Sequence, residues 1–246
     1  MKIIENKGNQ SRVIEYLYEG LEIDLNKKYV ISFVGGGGKT TSIYKLADEL
    51  TRKGRRVIVT TTTHMQMPKN KVILNNNIYD INKILEESNF VTVGIKAENG
   101  KISSVSMEQV NELKEICDFL LIEADGAKML PLKAPASHEP VILNISNMVV
   151  GVCGIDALGK TIKETCHRST IVSKIIRKPE DDIVEEEDIS HILSSKDGTM
   201  KGVDVDTMEF RVIINKVDND ELLVRATKIE KILAGKNIKV IMTSHI

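Results

Sequence analysis

Residues Tyr29-Val30-Ile31-Ser32-Phe33-Val34-Gly35-Gly36-Gly37-Gly38-Lys39-Thr40-Thr41 decide the fold. The apolar run before the glycines reads as a buried strand. Ser42 to Leu50, after them, reads as an amphipathic helix that stops at Gly54. Strand, glycine turn, Lys-Thr and helix are the layout of a phosphate-binding P-loop. Glycines turn the backbone tightly and present its N–H groups to phosphate oxygens. The positive end of the helix adds to the attraction. Gly35, Gly36, Gly37, Gly38, Lys39, Thr40 and Thr41 are therefore the expected nucleotide-binding residues. Lys39 is expected on the β- and γ-phosphates and the Thr40 hydroxyl on Mg²⁺. One position departs from the pattern. Phe33 stands five residues before Gly38, where the usual loop has its first glycine.

Outward from this loop, apolar strands alternate with amphipathic helices. Arg56–Thr61, Phe119–Ile122, Met148–Val152, Phe210–Ile214 and Lys239–Met242 read as strands. Tyr79–Glu87, Met107–Cys117, Ser169–Arg177 and Glu221–Leu233 read as helices, and Glu180–Ser195 as one or two short ones. Asn70–Asn77 reads as a short strand, and Phe90–Ser104 as a hairpin turning at Glu98–Lys101. Three prolines break the segment Pro131–Pro140. The alternation implies a three-layer α/β/α P-loop NTPase fold with a mostly parallel sheet, its loop strand beside the Phe119 strand. Val13–Ile23 reads as a helix, so residues 1–28 are expected as an N-terminal helical extension. Residues 29–246 are expected as the nucleotide-binding domain.

Parallel sheets bind ligands at the carboxyl ends of their strands. The Phe119 strand ends in Glu123-Ala124-Asp125-Gly126, which has the form of a Walker B element. Glu123 and Asp125 face the same side of an extended chain, and either carboxylate suits Mg²⁺. The Phe210 strand ends in Asn215-Lys216-Val217-Asp218, the N-K-x-D element of GTP-binding proteins. An Asp carboxylate accepts from both N1–H and the 2-amino group of guanine, and adenine offers neither donor. Asn215 is expected to tie the base site to the phosphate loop, and the Lys216 stem to cover the base. Thr243-Ser244-His245 stands where GTPases carry a loop that backs the base. The second strand ends in Thr60-Thr61-Thr62-Thr63-His64. Its threonines suit a strand, but Thr62, Thr63 or His64 are also placed to reach Mg²⁺ or the γ-phosphate. His64 is the candidate to orient an attacking water. Lys39, His64 and Asp125 are thus the candidate catalytic residues, and Thr40, Glu123 and Asp125 the candidate metal ligands.

Composition narrows the class. The 246 residues carry a net charge of −1, no Trp and 4% aromatic residues, which argues against nucleic-acid binding and against anionic membranes. Hydrophobic residues make up 41%, enough for a sizeable core. Cys117, Cys153 and Cys166 are widely spaced with no C-x-x-C, so neither a disulfide framework nor structural zinc is indicated. An isolated cysteine usually serves as a small buried hydrophobe. No signal-like or membrane-spanning run is present, and a soluble cytoplasmic protein is expected.

The middle section adds Glu123-Ala124-Asp125-Gly126-Ala127-Lys128, Pro131-Leu132-Lys133-Ala134-Pro135 and His138-Glu139-Pro140-Val141-Ile142. Gly154-Ile155-Asp156-Ala157-Leu158-Gly159 and His167-Arg168 follow. With the glycine loop and Thr60–Met65, these resemble the YqeC family of selenium-dependent hydroxylase accessory, or selenium cofactor biosynthesis, proteins. The resemblance runs from Tyr29 to the end of the chain. It implies a nucleotide-binding protein in the maturation of selenium-dependent molybdenum hydroxylases, with such a hydroxylase as client. Lys128, Lys133, His138, Glu139, Asp156, His167 and Arg168 form a candidate functional surface. The leading expectation is a Mg²⁺-dependent GTPase, with ATP as the alternative nucleotide. The Lys-Thr-Thr form of the loop resembles a subgroup of GTPases that dimerise around nucleotide, a fold-level analogy for a homodimer. A small-molecule phosphotransferase or ligase, and a nucleotide-gated adapter without useful hydrolysis, are the competing readings.

Overall fold

A computed structural model describes residues 1–246 apart from Gly8, Asn9, Asn76 and His245, with the backbone alone for Lys7 and Gln10. The chain opens with β1 (Lys2–Lys7), β2 (Gln10–Ile14) and a one-turn helix α1 (Leu17–Gly20). The loop strand β3 (Tyr29–Gly35) leads into α2 (Lys39–Arg52), then β4 (Val57–Thr61), β5 (His64–Gln66), β6 (Val72–Ile73) and α3 (Ile78–Ser88). Next come β7 (Phe90–Val93), β8 (Ile95–Lys96), β9 (Lys101–Ser103), α4 (Met107–Ile116) and β10 (Phe119–Glu123). The chain continues through β11 (Leu132–Lys133), β12 (Met148–Gly154), α5 (Ile162–Thr165), β13 (Cys166–His167), α6 (Ser169–Ile176) and α7 (Glu186–Ser194). It closes with β14 (Glu209–Asn215), α8 (Asp220–Ala234) and β15 (Lys239–Ser244).

Among the described residues, ten strands form one sheet in the order β2-β1-β15-β14-β12-β3-β10-β4-β7-β6. The eight from β15 to β6 run parallel, and β1 and β2 extend them as an antiparallel hairpin. The central strands are buried on both faces, as continuous apolar runs require. Odd residues of β3, such as Ile31 and Phe33, pack under α2 through Ile43, Leu46 and Leu50. On the opposite face of the sheet, Val30 and Ile122 meet α3 and α4, and Val34 and Ile214 meet α7 and α8. Helices thus cover both faces, giving the three-layer α/β/α fold of a P-loop protein. After β3 the chain crosses to β4, fills the gap with β10, and only then places β12 on the other side. Strand order therefore reverses at β3, and a crevice opens at its carboxyl end.

Three sequence expectations are corrected. The helix expected over Val13–Ile23 is instead the end of β2 followed by the single turn α1, so residues 1–28 are not a helical extension. The edge of β1 offers unpaired backbone groups, and Val13 and Ile14 pair there with Ile4 and Ile3. Glu49 of α2 fixes α1 by accepting from the N–H groups of Leu17 at 2.6 Å and Tyr18 at 3.2 Å. Phe90–Val93 is a parallel strand of the main sheet, and the hairpin is confined to β8 and β9, which β5 joins as a third strand. Its turn holds Asn99 and Gly100 at positive φ, as a tight hairpin demands. The strand expected over Asn70–Asn77 is reduced to Val72–Ile73.

Candidate functional site

The glycine loop lies at the carboxyl end of β3, in the crevice. Phe33 is fully buried among the residues under α2, and its carbonyl accepts from the Ala124 N–H at 2.9 Å. The strand therefore continues through the position of the missing glycine, and the turn begins at Gly35. Gly37 has φ +65° and Gly38 has φ +124°, values that L side chains rarely adopt. A Cβ on Gly37 would lie 2.0 Å from the Gly154 nitrogen, and one on Gly38 would lie 2.0 Å from Nδ2 of Asn215.

The loop amides do not all face outward as expected. Gly35 donates to Asp125 Oδ2 at 3.0 Å, Gly36 to the Val152 carbonyl at 2.8 Å and Gly37 to the Leu130 carbonyl at 3.0 Å. The first turn of α2 is different. Gly38 caps it without a side-chain hydrogen bond, and no acidic residue stands in that turn. The leading amides of a helix have no intrahelical acceptor, so this end is suited to an anion.

Around it lies an open cleft of about 510 Å³, lined by Gly36 to Thr41 with His64, Gln66, Lys101, Glu123, Gly126 to Met129, and Lys216. That volume falls in the range of small-molecule sites. Thr40 Oγ1 donates to Glu123 Oε2 at 2.6 Å. Burial pushes the Glu123 carboxyl up from its ordinary value, opposed by the Lys39 charge and the Thr40 hydrogen bond. Lys39 is folded back into the protein, with Nζ 2.5 Å from the Gly35 carbonyl and 3.0 Å from Asp125 Oδ1. Asp125 therefore sits behind Lys39 and is not itself part of the cleft lining.

His64 lies at the cleft and is exposed. The Thr62 hydroxyl, expected toward the phosphates, instead donates to the Val141 carbonyl at 2.8 Å. No cluster of three or more His, Cys, Asp or Glu side chains suited to a metal occurs among the described residues. One hydroxyl and one carboxylate, Thr40 and Glu123, suit Mg²⁺, which keeps waters and takes its other ligands from phosphate.

Asn215 joins the N-K-x-D element to the loop. Its Nδ2 donates to the Gly37 carbonyl at 3.0 Å, and its Oδ1 accepts from Thr243 Oγ1 at 2.7 Å. Lys216 lines the cleft and pairs with Asp156 Oδ2 at 2.7 Å. Asp218 accepts from Ser244 Oγ at 2.9 Å. It lines a separate hollow with Val217, Asn219, Ser244, Lys2 and Ile4, two residues beyond Lys216. His245, expected behind the base, lies outside the described residues.

The expected polar surface of the middle segment divides. Lys133, Glu139 and Arg168 turn inward as a chain of ion pairs that ends on Asp125. Spacing along the chain gave no sign of it. The one clue is a lysine between Leu132 and Ala134 in an apolar, proline-bounded run. Burial pushes the Glu139 carboxyl up, but hydrogen bonds from Arg168 and Lys133 overrule it and hold it at about 2. Burial, with the charges of Arg168, Lys133 and Lys128, lowers the pKa of His167. His138 and Lys128 are exposed. Lys128 and Met129 have φ +46° and +62°, and Met129 stands 98% exposed at the cleft mouth. Cys117, Cys153 and Cys166 are buried, and burial pushes each thiol up to about 12, which removes them as nucleophiles at neutral pH.

A family model described as YqeC protein matches residues 31–170. A curated relative, the uncharacterized protein YqeC of Escherichia coli (strain K12), is 36% identical over 193 residues, covering 74% of this chain and 75% of its own. A chain of the MinC:MinD cell division protein complex of Aquifex aeolicus superposes with a TM-score of 0.42 at 16% identity, over 86% of this chain and 79% of that one.

Proposed function

The chain belongs to the YqeC family, and from that premise we propose that it is a Mg²⁺-dependent nucleoside triphosphatase with GTP as its nucleotide. The observation that carries this reading is the Asn215 bridge. One side chain of an N-K-x-D element is hydrogen-bonded to the glycine loop at Gly37 and to the last strand at Thr243. A phosphate end and a base end are thereby held in one frame. The uncapped start of α2, Gly38 to Thr41, receives the phosphates. Lys39 leaves Asp125 for the β- and γ-phosphates and stabilises charge on the transferring phosphoryl group. Thr40 and Glu123 would hold Mg²⁺, which would supply charge neutralisation for the phosphates. His64 faces the cleft as the residue to orient water. Asp218 reads the guanine edge, and Lys216, steadied by Asp156, covers the base.

The role in this reading is that of an accessory factor in the maturation of selenium-dependent molybdenum hydroxylases. Exposed Met129 and the neighbouring Lys128 mark the mouth of the cleft as the face toward a client or a second subunit. Turnover by the isolated chain is expected to be slow unless a client or a second subunit completes the site. Hydrolysis measured with and without a client hydroxylase tests this, and fast turnover by the chain alone counts against a switch.

The nucleotide assignment is tested by thermal shift with Mg²⁺ and a panel of GTP, ATP and non-hydrolysable analogues. A ligand bound only by the native state stabilises it by about 2.7 kcal/mol at one hundred times its Kd. Asp218→Asn should weaken GTP binding and favour xanthosine triphosphate. An unchanged preference sinks the guanine assignment. Binding with no product formed favours the adapter reading.

A further inference from the structure

Five charged side chains run in line from the glycine loop into the Pro131–Pro140 segment and on to β13. Lys39 faces Asp125 Oδ1 at 3.0 Å, and Lys133 faces Asp125 Oδ2 at 3.0 Å. Lys133 then pairs with Glu139 at 2.7 Å, and Glu139 with Arg168 at 2.7 Å. The line holds three cations and two carboxylates, so it carries one positive charge in excess. Lys39, Asp125 and Lys133 are each at most 5% exposed.

Asp125 is gripped from two sides. A P-loop lysine that turns to a phosphate must give up Oδ1. A buried carboxylate left with no cation is among the costliest states in a protein interior. Lys133 prevents that state. Its ammonium group is engaged by Asp125, Glu139 and the Gly126 carbonyl, the last at 2.7 Å, so it is held where it is when Lys39 leaves. Lys133 is absent from the lining of the cleft, so its effect on a ligand passes through Asp125. Asp125 Oδ2 also accepts the Gly35 N–H, so the same carboxylate anchors the start of the glycine turn.

Resting on the nucleotide reading of the cleft, we propose that Lys133 is a positioning residue of the phosphate site. It keeps Asp125 paired and in place while Lys39 moves to a phosphate. Glu139 balances Lys133, and Arg168 balances Glu139. The excess positive charge of the line is then the charge that Lys39 delivers.

Two measurements test this. Calorimetric titration with Mg²⁺ and GTP, and then ATP, compares the intact chain with Lys133→Met and Lys133→Arg. The methionine variant should bind at least about tenfold more weakly, because an uncompensated buried charge costs more than one decade of affinity. The arginine variant should recover binding to within about threefold, since it restores the charge. Equal affinity in Lys133→Met and the intact chain overturns the proposal. If Lys133→Met does not fold, Lys133→Gln, which keeps a donor without the charge, takes its place with the same expectation. The second measurement is urea unfolding without nucleotide for Lys39→Met, Lys133→Met and the double variant. Removing Lys133 should lower the midpoint more when Lys39 is already gone. Additive shifts overturn the proposal. If the intact chain binds neither nucleotide, the nucleotide reading fails, and a non-additive cycle still assigns Lys133 to Asp125.

Discussion

Phe33 shows how one residue can mislead when it is compared with a pattern alone. It breaks the usual glycine spacing, yet its side chain belongs to the core under α2 and the turn starts two residues later. The strict requirement is shared by Gly35 and Gly37, where a Cβ would meet backbone, and by Gly38. At Gly38 the φ of +124° and the 2.0 Å approach of Asn215 Nδ2 to a Cβ leave no room for a side chain. Gly38→Ala should destabilise the chain by about 1–3 kcal/mol, the usual cost of a strained backbone position. It should also break the Asn215 bridge to Gly37, and with it nucleotide binding. Urea unfolding and a nucleotide thermal shift read the two effects separately. A variant with unchanged stability and binding would show that the loop can remake its turn without glycine.

At the scale of elements, α2 carries its buried face at Ile43, Leu46, Ala47 and Leu50 and leaves its first turn uncapped. The same helix end is thus fixed by apolar spacing and left available to an anion. The pair α7 and α8 shows the opposite use of charge. Glu186 at the start of α7 receives both Nε and Nη2 of Arg225 in α8, at 3.0 and 3.1 Å. The hydrogen bond from Arg225 holds the Glu186 carboxyl at about 2, below its ordinary 4.5. A carboxyl with a lowered folded-state pKa stabilises the fold above the unfolded value. That contribution is complete above pH 4.5 and is lost as pH falls toward 2. Glu186→Gln should therefore lower stability at neutral pH by about 1–3 kcal/mol, the usual worth of a hydrogen bond to a charged group, since Glu186 is buried against a partly covered Arg225. It should also flatten the acid limb between those two values. Urea midpoints at pH 7, 4 and 3 measure it, and parallel acid limbs for the two chains would contradict it.

Across the whole molecule, the N-terminal hairpin completes one edge of the sheet. β1 pairs with β15, and Glu5 is bound by Arg12 at 2.7 Å and by Lys239. The same strand brings Lys2 and Ile4 beside Asp218. Deleting residues 1–14 uncovers the β15 edge, which is a template for association between chains. The shortened protein should melt lower and scatter light on warming, and it should lose selectivity among nucleotides before it loses phosphate binding. Scattering and thermal-shift measurements with GTP and with pyrophosphate separate these effects. A truncated chain that stays monodisperse with unchanged selectivity would remove the hairpin from the base end of the site. No helix among the described residues is long and apolar enough to cross a membrane.

The long strands β3, β4, β10, β12, β14 and β15 and the helices between them were legible in the sequence, because buried parallel strands are continuous apolar runs and their helices repeat every 3.6 residues; the short strands between Thr61 and Ser104 were not. The glycine turn and the link of Asn215 to the loop were legible too, whereas the sequence leaves open the choice of Glu123 over Asp125 beside Thr40. The sequence could not separate a strand from a helix over Val13–Ile23. Val13, Ile14, Leu17 and Leu21 suit either, and the choice lies with an unpaired sheet edge supplied by β1. Nor could it show that Asp125 serves Lys39 and Lys133, that Leu130 takes the Gly37 amide, or that Asp156 holds Lys216. Those contacts join residues distant in the chain, and their partners are set by which strands lie side by side. Local periodicity determined the elements and the residues at their ends, because it acts within a few residues. Only tertiary structure decided which buried charges meet, because the cost of desolvating each is met by a partner that the fold brings near.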